Sequence, residues 1–508
     1  MRPALFRIAL PVLLAIYPAL FIAGGNPGEF AGIELLLTCA ILAIVGTVVG
    51  GAVWLLRRAR RTPGSDALIA GAIAWWLGWP LLLAAWLRSM NAGAIGLPRI
   101  MLPIATVLVV LILIWVWRGA DRRRAAILAT TFAAALAFFA FITAIRAWRP
   151  VPARVSAAST SAAAGPDIFL IILDAYPSSR VLAAEYGYSN RSFEDSLRAL
   201  GFQIPKVAFS NYSATALTLA SLLNMDHVSS LAPNLARERQ PNGVLYRLIE
   251  DNAVVRFLVR RGYAFVLFPS TDFPGTQRNR LADERRVAPD AGVLRTALGA
   301  SLFAQSVWST TAPGYVAERL GYGVHSPALA VETFRHMPEA AQLQRPVFAL
   351  GHVMITHEPY FFDASCQRSR AARQAAPFDR DALIAAVECT NSLLLDAVTR
   401  IIRSADRPPV ILLQADHGTA KSFDPPPRTA AAITGRQARE RFGAFGAYLL
   451  PGTEVLPDTV TPVNLFPIVL SRLFHVEIPL RPNVAFYSVP DAPFTLHPVT
   501  ADSLGSSS

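Results

Sequence analysis

The sequence predicts an N-terminal bundle of five transmembrane helices followed by an extracytoplasmic α/β domain with a mostly parallel central sheet. Three observations predict it. The first 150 residues are almost continuously apolar, and all their basic residues are arginine. From residue 166 onward, short β-branched runs alternate with longer helical patterns, as in a sheet buried on both faces. Between these parts, residues 149–166 are small and proline-punctuated, with the composition of a linker.

Composition supports the division. Of 508 residues, 53% are hydrophobic, and the mean hydropathy is +0.38, too apolar for an ordinary soluble protein. The formal charge of +12 raises the question of nucleic acid, but its distribution excludes that partner. Residues 1–150 hold 14 Arg and no Lys against 4 acidic residues. The remaining 358 residues hold 33 of the 47 basic and 31 of the 35 acidic residues, so the larger part is nearly neutral. Eight of the nine tryptophans also precede residue 150, as interfacial anchors would.

Apolar stretches long enough to cross a bilayer run at 6–23, 32–56, 67–87, 100–117 and 125–145. Arginine clusters lie between the second and third (Arg57, Arg58, Arg60, Arg61) and between the fourth and fifth (Arg118, Arg122, Arg123, Arg124). The positive-inside rule places both loops in the cytoplasm, so the N-terminus is inside and everything after 145 is outside. Reading the first stretch as a cleaved signal peptide leaves four spans and the same location for the large domain. Apart from Glu34 near one end, no ionisable residue lies deep within a proposed span, so no ion pathway is evident. The expected organisation is a transmembrane domain at 1–148, a linker at 149–166, a catalytic domain at 167–500 and a flexible tail at 501–508.

In the large domain the expected strands are Ile168–Leu173, Ala264–Phe268, a run from Val347, a run from Val410 to Gln414, and a run from Ala447 to Leu450. Helical patterns cover 193–200, 243–260 and 381–403. In such folds the site lies beyond the C-terminal ends of the strands. Asp174 follows the first strand, Asp416-His417-Gly418 follows the run from Val410, and Thr356-His357-Glu358-Pro359 follows the run from Val347. Three polar clusters thus fall at one sheet edge. Two carboxylates, an imidazole and a hydroxyl make a ligand set for a divalent metal with a nucleophile bound to it.

The hydroxyl is expected from Ser210-Asn211-Tyr212-Ser213-Ala214-Thr215, which opens a helical run with Ser213 or Asn211 available as N-cap. Thr215 would occupy the first turn, where the helix dipole and free backbone N–H groups favour an alkoxide and an anionic phosphate. On the residues alone, Thr218 and Ser221 are also eligible. His352, in the same segment as His357, is a second candidate for substrate contact. Tyr212 is a candidate to line the pocket, and Lys421 to meet a phosphate. Cys39 lies within the second span, whereas Cys366 and Cys389 fall in the extracytoplasmic domain, where a Cys366–Cys389 disulfide is expected; two free thiols are the alternative.

In order and spacing, these motifs resemble the alkaline phosphatase superfamily, in particular its sulfatase-like, membrane-anchored branch that includes lipoteichoic acid synthases and lipid A phosphoethanolamine transferases. The resemblance covers essentially the whole chain at the level of motifs. It implies five spans and an extracytoplasmic catalytic domain, with Asp174, Thr215, Asp416 and His417 as ligands of one divalent metal ion (Mn, Zn or Mg). It implies Thr215 as nucleophile, and His357 as the histidine that binds phosphate or protonates the leaving group. The segment Thr461-Pro462-Val463-Asn464-Leu465-Phe466-Pro467 fits the closing part of the domain.

Three departures count. The Cys/Ser-x-Pro-x-Arg segment from which sulfatases make formylglycine is absent, which argues against sulfate-ester hydrolysis. The transferases more often carry Glu where this chain has Asp174. A second metal site of the Asp-x-x-x-His kind has no convincing match, so one ion is expected and a second is left open. The expected function is transfer of a substituted phosphoryl group, of the phosphoglycerol or phosphoethanolamine type, from a membrane phospholipid to an envelope glycan or lipid through a phosphothreonine intermediate. Partners are then the bilayer, a phospholipid donor and a glycan or lipid acceptor, and the location is an inner membrane with the domain in the periplasm or outside. The rivals are a membrane-bound phosphodiesterase or sulfatase-like hydrolase and a non-catalytic envelope protein.

Overall fold

The computed structural model describes residues 3–25, 32–56, 66–76, 122–147, 165–285 and 328–499, apart from isolated positions within the last two ranges, together with 307, 310 and 311. The chain divides into two compact units, 1–151 with 289–326 and 152–288 with 327–508.

The described helices of the first unit are Pro3–Gly25, Gly32–Leu56, Asp66–Trp76 and Arg122–Ala147. They match the expected spans at 6–23, 32–56 and 125–145 and the first half of 67–87; the rest of that stretch and 100–117 lie outside the described residues. Leu35–Leu56 and Arg124–Ile142 are long and apolar enough to cross a membrane. Small residues let these helices approach closely: Ala19, Ala23, Ala126, Ala133, Ala137 and Ala140 are all buried. At Gly46 an added Cβ would stand 2.8 Å from the Pro11 carbonyl oxygen. Phe132, Phe138 and Phe139 point outward from the last helix, as a lipid-facing side would.

The second unit contains ten described strands: β1 Ile168–Leu173, β2 Val207–Ala208, β3 Ala264–Phe268, β4 Glu284–Arg285, β5 Val347–Val353, β6 Val410–Ala415, β7 Gly446–Leu449, β8 Thr459–Val460, β9 Ala485–Val489 and β10 Ala492–Val499. Six form one sheet in the order β4-β3-β5-β1-β6-β7, parallel except for the antiparallel edge strand β7. Alternation along β1 explains why the strand reads as an unbroken apolar run. Phe169, Ile171 and Leu173 enter the core on one face, and Ile168, Leu170 and Ile172 enter the core on the other.

The first face is covered by helices Ser179–Tyr186, Arg191–Ala199 and Arg380–Ser404, the second by Thr215–Asn224, Pro241–Glu250, Ala253–Val259 and Pro462–Phe474. The helical pattern at 243–260 is therefore two helices. Asn252 breaks it, because its side chain accepts from the Val255 N–H at 2.8 Å and caps the second helix. Helix Arg380–Ser404 also has the length and apolarity of a membrane span. It is amphipathic, however: Leu383, Val387, Leu394, Val398 and Ile401 are buried, with Asp381, Glu388, Asp396 and Arg403 between them. Cys389 on this helix is disulfide-bonded to Cys366.

Candidate active site and metal centre

Register builds the site. Leu173 at the end of β1 pairs with Val353 of β5 on one side and with Ala415 of β6 on the other, so three strands end at one level. The next residues of β1 and β6 are Asp174 and Asp416. Both are completely buried. The Asp174 N–H donates to the Val353 carbonyl at 2.9 Å, and the Thr356 hydroxyl donates to the Asp174 carbonyl at 2.6 Å, which fixes the backbone of that residue.

Each carboxylate spends one oxygen on the protein and keeps one free. Asp174 Oδ2 lies 3.0 Å from His352 Nε2, while Asp174 Oδ1 has no hydrogen-bond partner. Asp416 Oδ1 accepts from the N–H groups of Ala175 at 3.0 Å and His417 at 2.9 Å, and Asp416 Oδ2 has no partner. His417 Nδ1 lies 2.9 Å from the Gly418 carbonyl, which can only accept. The proton is therefore on Nδ1, and Nε2 presents a lone pair. That nitrogen stands 3.3 Å from Asp416 Oδ2, 3.8 Å from Asp174 Oδ1 and 3.3 Å from Thr215 Oγ1.

This donor set fits a divalent cation. Two unpartnered carboxylate oxygens side by side in the interior repel each other and are costly without a counter-charge. One ligand atom from each of Asp174, Asp416 and His417 lies within 4.8 Å of the others. A tetrahedral ion with bonds of about 2.0–2.1 Å holds its ligand atoms about 3.4 Å apart, close to the spacings seen here. Carboxylate, imidazole and hydroxyl donors suit manganese, zinc or magnesium.

Thr215 is the first residue of its helix. The expected caps Ser213 and Asn211 do not cap it; the N-cap residue is Ala214, extended at φ −144° and ψ 138°, with no side-chain cap. The first-turn N–H groups are thereby left open beside the hydroxyl. Asn211 instead anchors the preceding loop, its Oδ1 accepting from Val463 N–H and its Nδ2 donating to the Val484 carbonyl, both at 2.9 Å. Thr218 and Ser221, the other eligible hydroxyls, are fully buried, with Thr218 bonded to Ser210 and Ser221 to the Asp226 carbonyl.

Three expected substrate contacts lie elsewhere. His352 is buried beneath Asp174, with Nδ1 2.8 Å from Thr276 Oγ1, which in turn is 2.8 Å from Ser270 Oγ. Both its ring nitrogens thus face protein atoms, Asp174 Oδ2 and Thr276 Oγ1. Tyr212 is also fully buried: its hydroxyl accepts from Val228 N–H at 2.8 Å, and its ring stacks on Phe486 at 5.6 Å. Lys421 is exposed with its ammonium over the Tyr186 ring at 5.3 Å, and only its backbone N–H is engaged, by Glu440 at 2.6 Å. His357 stays at the site, half-buried, its ring centroid 6.4 Å from that of His417.

Electrostatics separate the two histidines. Burial, assisted by the Arg441 guanidinium, pulls the pKa of His417 below its ordinary value, so its lone pair is available at neutral pH. Burial also opposes charge on His357, but the Asp174 carboxylate, the Glu358 carbonyl bonded to its Nδ1 and the Asp416 carboxylate together outweigh it and raise its pKa. Burial works against the charge of Asp174, and His357, His352 and His417 together hold its carboxyl well below the usual range.

Two functional candidates were missed in the sequence. Glu440 accepts from the Thr419 hydroxyl at 2.9 Å and from the N–H groups of Lys421 and Ser422 at 2.6 and 2.9 Å, holding the turn after His417. Arg441 donates through Nε to the Ser213 carbonyl at 2.9 Å, through Nη2 to the same oxygen, and through Nη1 to the Gly418 carbonyl at 3.0 Å. Both sit in the last turn of helix Gly435–Phe442, a helix with three arginines (Arg436, Arg439 and Arg441) whose sequence carries no sign of which one turns inward. Gly418 is required where this turn meets the helix end: a Cβ there would lie 2.2 Å from the Glu440 carbonyl oxygen.

No protein-family model matches the sequence, and no curated protein does. Among solved structures, the chain is similar to a protein in the alkaline phosphatase superfamily from Vibrio parahaemolyticus, at 10% identity over 67% of this chain and 79% of that one, with a TM-score of 0.38. It is similar to the C-terminal periplasmic domain of EcEptC from Escherichia coli (12% identity, 69% of this chain and 96% of that one, TM-score 0.41). It is also similar to the integral membrane protein lipooligosaccharide phosphoethanolamine transferase A, EptA, from Neisseria meningitidis (11% identity, 92% of this chain and 95% of that one, TM-score 0.37).

Proposed function

We propose that the chain is a membrane-anchored, metal-dependent phosphotransferase that moves a substituted phosphoryl group, phosphoglycerol or phosphoethanolamine, from a membrane phospholipid to an envelope glycan or lipid. The observation that carries this reading is the position of Thr215. Its hydroxyl stands 3.3 Å from His417 Nε2 at an uncapped helix start, beside the unpartnered buried oxygens of Asp174 and Asp416.

Asp174, Asp416, His417 and Thr215 would hold a divalent ion, whose Lewis acidity would let the Thr215 hydroxyl lose its proton to solvent before attack and would screen the charge of the phosphodiester. Thr215 Oγ attacks phosphorus in line, forming an Oγ–P bond as the bond from phosphorus to the lipid oxygen breaks. His357, which stands at the site with its ring centroid 6.4 Å from that of His417, donates the proton that the departing lipid oxygen takes up. An acceptor hydroxyl then attacks the phosphothreonine from the opposite side, giving its proton back to His357 and releasing Thr215. Two displacements retain configuration at phosphorus. Membrane spans confine the enzyme to the surface that holds its donor, which raises the donor's effective concentration.

The test is intact-mass and peptide mass spectrometry of the full chain after incubation with mixed phospholipids and Mn²⁺ or Zn²⁺, comparing wild type with Thr215→Ala. A substituted-phosphate adduct on Thr215, absent from the variant, is the expected result, and its mass identifies the donor group. Turnover into water without an acceptor would make the protein a hydrolase. Silence in both the adduct and the turnover assay with every lipid and metal would sink the catalytic reading.

A further inference from the structure

We infer that Arg441 is a catalytic residue that binds the phosphoryl oxygens during transfer; the inference rests on the phosphotransferase reading above. A guanidinium carries five N–H donors in a fixed plane and stays charged in proteins. Three of them are used: Nε and Nη2 donate to the Ser213 carbonyl, and Nη1 donates to the Gly418 carbonyl. One N–H on each terminal nitrogen is left, enough for two contacts to one phosphoryl group.

The anchors fix where those donors stand. Ser213 is two residues before Thr215, and Gly418 directly follows His417. The side chain therefore bridges the peptide that leads into the nucleophile helix and the turn that carries a metal ligand. Its hydrogen-bonded anchors are two carbonyl oxygens, so no carboxylate takes up its remaining N–H donors in a direct pair. Lys421, the other cation considered for this role, is exposed over Tyr186.

The placement also makes chemical sense of the helix start. When Thr215 attacks, negative charge builds on the non-bridging oxygens, which must be met by donors already in position. The helix that Thr215 opens has no side-chain cap on its first-turn N–H groups. Arg441 supplies the fixed positive charge, and because Ser213 and Gly418 hold it in advance, no reorganisation is needed as the charge develops.

The experiment compares wild type, Arg441→Lys and Arg441→Met full chain for the rate of adduct formation on Thr215, for bound metal by elemental analysis, and for binding of orthovanadate to the metal-loaded protein. Arg441→Met should retain metal and lose about 10²–10³-fold in adduct rate, the usual cost of removing one preorganised donor to developing charge. It should weaken vanadate binding to a similar degree. Arg441→Lys should recover part of both, and added methylguanidine should partly rescue Arg441→Met. An adduct rate in Arg441→Met within threefold of wild type would overturn the inference. So would loss of metal in both variants in proportion to activity, which would make Arg441 a structural clamp. If wild type itself forms no adduct and turns over no lipid, the phosphotransferase reading has failed, a result told apart from failure of Arg441 alone.

Discussion

At the scale of single residues, His352 shows how far a site extends below the groups that touch an ion. Its ring joins Asp174 on one side and Thr276 on the other, so it sets which way the Asp174 carboxylate points and which oxygen stays free. Replacing it with phenylalanine should lower metal affinity about 10–100-fold while leaving the fold intact, the usual effect of losing such a support. Competition titration with a metal-chelating dye checks this, and unchanged affinity would show that Asp174 is held by its backbone alone. In sequence, His352 and His357 look alike, two histidines in one segment. Strand register separates them: His352 is the partner of Ile172 inside the sheet, and His357 lies beyond the sheet edge. Tyr212 is similar, because a tyrosine beside a nucleophile reads as a pocket wall until the packing of Phe486 and His227 around it is known. Arg441 was illegible for the same reason. Its contacts are to carbonyl oxygens more than 20 residues away in sequence, and carbonyls leave no mark in a side-chain pattern.

At the scale of elements, the grouping of Asp174, Asp416 and His417 was legible because Asp174 and the Asp416-His417 pair each follow an apolar run, and a parallel sheet brings such ends to one edge. The boundary at Asn252 was less so, since the apolar pattern runs through it and only the cap reveals the break. The Cys366–Cys389 bond ties the loop after β5, which carries His357, to helix Arg380–Ser404 across 23 residues. On the chain-entropy account, closing a loop of that size is worth about 3 kcal/mol. The Cys366→Ser, Cys389→Ser double variant should therefore unfold at a lower temperature and lower denaturant concentration than wild type. Equal midpoints in chemical denaturation would show that the loop is held by its packing instead.

At the scale of the whole molecule, the division of the chain into an apolar N-terminal part and a nearly neutral second part was readable from where the arginines fall. The pairing order of the sheet was not, because continuous apolar strands buried on both faces carry no register signal of their own. Burying Asp174 and Asp416 side by side burdens the second unit with repulsion that a bound cation relieves. Stripping metal from the full chain with a chelator should lower its melting temperature, and Mn²⁺ or Zn²⁺ should restore it in proportion to the logarithm of free metal, since only the folded protein assembles the site. A melting curve indifferent to chelator and metal would count against the centre.

Helix Arg380–Ser404 carries one more consequence. It is long and apolar enough to cross a bilayer, at a mean hydropathy of 1.4 against 2.4 for Leu35–Leu56 and 2.3 for Arg124–Ile142. A chain threading through a translocation channel is sorted segment by segment, before any tertiary contact exists to shelter it. Glu388 and Asp396 stand in the middle of this segment, and carboxylates near the centre of a bilayer cost about 2.5–3.5 kcal/mol each on insertion scales. The charges that later mark the solvent side of the helix thus first act as a rejection signal, keeping the segment out of the lipid.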